Sequence, residues 1–179
     1  MIVKPRQLHL KEPVYVADII GEVVLSSITG NVKDYSGLDV RYIHDSRKQV
    51  ELRLKNKDQA NAVKYPLIVL FHDFPEQIGI DYYADVTLNI IILTDTKKDL
   101  FSDDRYDRTF KPTLYPLYGW FMKCLALHPM IVQTDPANIS ATRYDRLYWG
   151  TQPAGEQGLN DYVDGIELVN LKLRFQQNC

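Results

Sequence analysis

Three side chains that can move protons or hold a metal follow one apolar run: His72, Asp73 and Glu76 in "KYPLIVLFHDFPEQIG", Lys64 to Gly79. Imidazole titrates near neutral pH, and both imidazole and carboxylate ligate divalent metals. A second His-Asp dipeptide, His44-Asp45, lies upstream, and the other histidines are His9 and His128. In metal-dependent phosphohydrolases, adjacent His-Asp ligands sit on helices with further His and Asp at hand. Here the apolar run reads as a strand. Neighbouring side chains of a strand point to opposite faces, so His72 and Asp73 are not expected to share one ion. The pair reads as the polar end of a strand, and a small metal-dependent hydrolase built on His72, Asp73 and Glu76 is the alternative.

Asp99, Asp103, Asp104 and Asp107 form a dense carboxylate cluster. A calcium loop needs ligands at set spacing and a glycine at its turn. This segment has no glycine and carries Lys97, Lys98, Arg105 and Arg108, so it reads as a solvated or partner-facing charged loop. The chain lacks G-x-S-x-G, P-loop, G-x-G-x-x-G and H-E-x-x-H patterns. Cys124 lies in an apolar helix-like segment, where burial raises a thiol pKa and makes a poor nucleophile. The expectation is a protein that is not an enzyme, with no cofactor and no metal.

The elements that would carry these groups follow from hydrophobic periodicity. Val16, Ile19, Ile20, Val23 and Val24 share one helical face after Pro13, which predicts an amphipathic helix over Pro13 to Ser27. Between Leu38 and Asn56, period two favours a hairpin through His44-Asp45-Ser46. Val50 and Leu54 also fit a helix over its second half, so Lys48 to Asn56 is left open between strand and helix. Asn56 to Lys64 is polar and reads as a loop. Tyr65 to Phe71 is apolar on both faces and predicts a buried central strand, followed by a loop around Pro75 to Gly79. From Ala84 to Leu93 the alternation predicts a strand covered on one face at its start and on both at its end.

Thr94 to Lys111 reads as an exposed charged connection. Pro112 opens a second helix, apolar almost all round, that ends before Pro129. Asp145 to Gly150 reads as a short strand and Thr151 to Asp161 as an exposed, turn-rich loop. Gly165 to Phe175 closes the chain as a strand, with Val169, Leu171, Leu173 and Phe175 on one side. The fold class is α+β: a single domain over residues 1–179 with a 1–12 arm, a largely antiparallel sheet, and two main helices on one face.

Bulk numbers bound the class. The 179 residues suit one domain, and 45% hydrophobic with 25% charged residues is ordinary for a globular chain. A net charge of −2 makes no electrostatic case for nucleic-acid binding, although it leaves room for a locally basic face. The two cysteines, Cys124 and Cys179, are expected as free thiols. The N-terminal "MIVKPRQLHLKEP" lacks the apolar core of a secretory signal, and no apolar run approaches a membrane span. The 12 tyrosines stand out, several in polar surroundings: Tyr35, Tyr82, Tyr83, Tyr106, Tyr144 and Tyr162. Interfaces favour tyrosine, and so do sheet surfaces.

The segments "YPLIVLFHDFPE", "YADVTLNIIILTDT", "YDRTFKPTLYPLYGWFM", "DRLYWG" and "DGIELVNLKLRF" occur in an order that resembles the neck and tail-completion proteins of tailed bacteriophages. The resemblance runs from about Tyr65 to Phe175 and is to versions in phages of Bacteroides-type bacteria, including crAss-like phages. It implies a tail-terminator-like structural virion protein, assembled in the host cytoplasm as a hexameric or dodecameric ring. Such a ring would contact the portal or connector and the tail or adjacent neck rings. Genomic DNA would pass through its lumen, with no membrane involved. The implied subunit interface draws on Asp99, Asp103, Asp104, Arg105, Tyr106, Arg108, His72 and Glu76. A cytosolic protein-binding adaptor is a further alternative.

Overall fold

The computed structural model describes residues 15–29, 40–55, 65–78, 83–97, 99–132, 139–150 and 162–176. The arm over 1–12, Pro13, the polar segment over 56–64 and the loop over 151–161 lie outside the described residues. Along the chain come α1 (Val16–Thr29), β1 (Arg41–Asp45), α2 (Arg47–Lys55), β2 (Leu67–Phe71), β3 (Glu76–Ile78) and β4 (Tyr83–Thr96). Then follow α3 (Ser102–Arg105), a π-helical stretch (Tyr106–Leu114), α4 (Tyr115–Leu127), β5 (Ser140–Arg146) and β6 (Tyr162–Gln176).

The six strands make one sheet in the order β1-β2-β4-β6-β5, with β3 pairing β4 beyond the end of β2. Only β1 and β2 run parallel; the other pairs are antiparallel. This is the α+β class the periodicity predicts, with helices packed on the sheet. β2 and β3 occupy one strand position. Between them the chain leaves the ladder over His72 to Pro75, and Asp73 takes a left-handed backbone at φ 70°. The loop expected around Pro75 to Gly79 is therefore partly strand.

β4 carries the logic of the core. Its burial alternates through the first half and is continuous from Ile90 to Thr94. Leu88, Ile90 and Ile92 face α1 and α4, together with Val16, Ile20, Val23, Phe121 and Leu125. Ile91 and Leu93 face the other way, against Leu67, Val69, Phe71, Trp149 and Val163, under Val50 and Leu54 of α2. Among the described residues no helix covers the first half of that second face, and Asp85 and Asn89 are exposed.

In place of the expected hairpin, the described residues of this segment form a strand, Arg41–Asp45, and a helix, Arg47–Lys55. The Asp45 carboxylate accepts from the Ser46 N–H at 2.8 Å, and the Ser46 hydroxyl accepts from Gln49 N–H at 3.3 Å. That capping starts α2 at once. Val50 and Leu54, four apart, are buried while Leu52 is 49% exposed, which is helical spacing rather than alternation. β1 then finds its partner in β2. Tyr42 donates to the Ala17 carbonyl at 2.8 Å, and its ring lies against Gly21, tying β1 to α1.

The expected charged loop over 94–111 is also corrected. β4 runs to Thr96 and a helix begins at Ser102. Asp103 and Asp104 lie in its first turn, where carboxylates favour the positive end of the helix dipole. The backbone stays in the right-handed helical region across both junctions of the π-helical stretch. Pro112 sits inside that stretch. In an α-helix its ring would press on the carbonyl four residues back, and a wider turn relieves that clash. Pro116 falls in the first turn of α4, directly after the π-helical stretch. His128, before Pro129, is extended and ends the helix as predicted.

Two sequence-level strand assignments shift. β5 is Ser140–Arg146 rather than Asp145 to Gly150, and Trp149 turns inward instead. In β6 the apolar phase changes midway. Leu88 pairs Leu171 and Ile90 pairs Leu168, so β6 carries one extra residue between them. Asn170 takes φ 56° there and donates its N–H to Asn89 Oδ1 at 3.0 Å. This bulge puts Leu168 and Leu171 on the same face, and Val169 drops out of the expected row.

At the far end of β4 lies a buried ion pair. Arg105 and Asp164 are both fully buried and bond through Nη1 and Oδ1. Arg105 Nε donates to the Leu100 carbonyl and Nη2 to the Lys97 carbonyl, each at 3.1 Å. Tyr148, at φ 54°, donates its N–H to Asp164 Oδ1 at 3.1 Å and sets its ring 3.3 Å from the guanidinium carbon.

Removing either partner leaves an uncompensated buried charge, so Arg105→Ala and Asp164→Ala are each expected to cost about 3–5 kcal/mol. The double variant should cost less than their sum in urea denaturation, and additive costs would contradict the coupling. Gly165 presents a second test. A Cβ there would lie 2.7 Å from Leu93 Cδ2 and 2.9 Å from the Ile92 carbonyl oxygen. The backbone oxygen cannot yield, so Gly165→Ala should lower stability by about 1–3 kcal/mol, seen as a lower urea midpoint.

Candidate functional site

His44 lies near the end of β1 and His72 just past the end of β2. Because β1 and β2 are parallel with Asp45 opposite Phe71, the two histidines are diagonal neighbours on the face that carries α1. His44 Nε2 and His72 Nδ1 are 3.1 Å apart, with ring centroids at 5.0 Å. Phe74 closes one side, its ring centroid 6.0 Å from that of His44. The backbone beneath is held from several directions. His72 N–H donates to the Asp45 carbonyl at 3.0 Å, and the Asp45 carboxylate takes Ser46 N–H and pairs with Arg53 at 2.8 Å.

The dipeptide readings thus give way to a pair across strands. Asp73 turns aside on its left-handed backbone, and Glu76 enters β3 opposite Val86 with Oε1 buried and without a hydrogen-bond partner among the described residues. No group of three or more His, Cys, Asp or Glu among the described residues is arranged to hold a metal. Two facing imidazole nitrogens can share one proton. A second proton there would put two cations in contact. Burial, and then the neighbouring His72, hold the His44 pKa below its ordinary value of 6.5, against the opposing pull of Asp45 and Asp18.

The proposed interface residues divide. Asp99, Asp103, Asp104 and Arg108 are exposed, and so is His72. Arg105 is not on the surface at all but is the buried partner of Asp164. Tyr106 is half-buried and stacks on Phe110 at 4.8 Å. Asp107 pairs with Lys111 at 2.5 Å along the helix.

A second polar constellation lines β5 and was missed. Arg143 lies 5.6 Å from the Tyr115 ring and 5.5 Å from the Tyr118 ring. Tyr115 donates its hydroxyl to Asp145 Oδ2 at 2.7 Å, and its pKa is pushed up to about 12 by burial and by that carboxylate. On the opposite face Arg146 pairs with Glu167 at 2.6 Å and covers the Tyr144 ring at 4.4 Å. The alternating "TRYDR" over Thr142 to Arg146 is the signal that could have revealed it. Asp85 is held below the usual carboxylate range by its bonds from Arg174 at 2.7 and 2.8 Å. Burial raises the Cys124 thiol, as expected of a poor nucleophile. No described helix is long and apolar enough to cross a membrane. The chain matches no protein-family model and no curated protein.

The lowered His44 pKa has a signed consequence. A base held below its ordinary value binds fewer protons in the folded chain than in the unfolded one, so this group's stabilisation grows with pH. It is fully present above the ordinary value of 6.5 and is lost as pH falls through it. The urea midpoint of the wild type should therefore fall more than that of His44→Asn between about pH 7.5 and pH 5. Equal losses in the two proteins would exclude the effect.

Proposed function

We propose that this chain is a structural subunit of the tailed-phage neck, a ring protein that caps the tail or joins it to the portal. The ordered segments between Tyr65 and Phe175 suggest the class. The structural observation that supports it is a sheet with two unlike ends. β1 is a short strand in parallel pairing, and β5 is a longer strand in antiparallel pairing whose side chains are almost all exposed. A ring closes through a heterologous contact, one patch of a subunit against a different patch of the next. Ends that differ in length, direction and side chains meet that requirement, whereas a two-fold dimer would use one patch twice.

The surfaces suit contact rather than turnover. Tyr144, Arg146 and Arg143 give β5 large amphipathic side chains with polar tips, the composition that interfaces favour. Asp99, Asp103, Asp104 and Arg108 stay available as a charged rim, and His72 and Glu76 sit at the opposite edge region near β1. Arg105 leaves the interface set because it is buried. In this reading the neighbours above and below are the portal or connector and the tail or an adjacent neck ring. DNA crosses the lumen without sequence recognition, and the site of action is the virion.

Purified protein should assemble into rings visible by negative-stain electron microscopy, with a mass several times that of the monomer by light scattering. Arg143→Ala with Tyr144→Ala, both exposed side chains, should reduce that assembly while leaving the fold intact by circular dichroism. A protein that stays monomeric at every concentration, and also with isolated tail tubes or portals, would overturn the reading.

A further inference from the structure

We propose that His44 and His72 form a two-imidazole chelate for a divalent transition-metal ion, with copper(II) and nickel(II) favoured over zinc. The inference does not depend on the ring reading, although His72 also belongs to the edge that reading uses; it draws on neither β5 nor the acidic helix start.

The geometry is the argument. The two nitrogens, His44 Nε2 and His72 Nδ1, already face one another at 3.1 Å. An ion about 2.0–2.1 Å from each nitrogen at that spacing would see an N–metal–N angle of roughly 95–100°. That is the angle of two adjacent positions in a tetragonal or octahedral site, the preference of copper(II) and nickel(II). A tetrahedral zinc site would need the nitrogens to part by a few tenths of an ångström, and zinc also ranks below copper in intrinsic affinity for nitrogen ligands.

The two side chains come from adjacent parallel strand ends rather than from a mobile tail. The His72 N–H to Asp45 carbonyl bond clamps those ends together at 3.0 Å. Little ordering is then left for the ion to impose. Among the described residues no third His, Cys, Asp or Glu completes the set. The remaining coordination positions are therefore open to water, and the site is an exposed chelate rather than a closed structural one. The carboxylates that act on His44 are Asp18 of α1 and Asp45 of β1, the latter also paired with Arg53, and both favour a cation at His44.

Binding requires both facing nitrogens to offer lone pairs, so the hydrogen between them moves to the far nitrogen of its own ring, a change of tautomer with no net proton released from a neutral pair. Affinity should weaken as pH is lowered, because protons compete with the ion for the same two lone pairs.

The test is calorimetric titration of the full chain with copper(II) and with nickel(II) in a non-chelating buffer at neutral pH, paired with copper electron paramagnetic resonance. The expected result is one tight equivalent per chain with nitrogen hyperfine structure. His44→Asn and His72→Gln should each weaken it by more than about tenfold, at least the loss seen when only a supporting group is removed from a metal site. His72 is exposed, so its variant should remain folded by circular dichroism even if the His44 variant does not. No stoichiometric binding, or binding that survives in a folded His72→Gln protein, would overturn the proposal.

Discussion

The buried bond between Arg105 and Asp164 is the constraint around which one end of the molecule is arranged. Two charges removed from water are costly, and they persist only where each finds several partners. Here the guanidinium takes the Asp164 carboxylate, the Leu100 and Lys97 carbonyls and the Tyr148 ring face. Those partners belong to the exit from β4, the turn into the helix, the segment after β5 and the start of β6. One side chain therefore satisfies backbone groups that a short connection would otherwise leave unpaired. It also fixes where the helix begins, and so how the π-helical stretch and α4 lie on the sheet.

From that anchored end the sheet becomes progressively less covered. Where β2, β4 and β6 meet under α2, both faces are apolar and buried. Farther along β4 and β6 the second face carries Asp85, Arg174 and Lys172, and among the described residues the packed side is that of α1 and α4. The polar clusters gather at boundaries of this pattern. The histidine pair sits where β1 and β2 end beside α1, and the arginine and tyrosine groups line β5 at the opposite edge.

Much of this organisation is legible in the residues. The α1 face of Val16, Ile20 and Val23, the switch along β4 from one covered face to two, and the stop at His128-Pro129 all follow from period and steric rules. The β1–α2 region resists because Val50, Leu52 and Leu54 satisfy alternation as well as a helical pair at i and i+4. Only the apolar surface of β2 and β4 decides between them. Arg105 reads as one more charge in an acidic and basic stretch, since its partner lies 59 residues away. The histidine pair is hidden for a related reason. A hairpin reading makes His44 a turn residue, and only the parallel pairing of β1 with β2 brings it to His72.

The bulge at Asn170 carries a consequence for how β6 tolerates change. Across it the buried positions pass from Ile166 and Leu168 to Leu171, Leu173 and Phe175, a shift from even to odd numbers absorbed by one looped-out residue. Elsewhere in the strand, losing a single residue would reverse inside and outside for everything beyond it. At Val169 or Asn170 the same loss would merely straighten the strand and leave every apolar side chain on its own side. β6 thus contains an expansion joint, a place where length can vary while the inner lining stays in step.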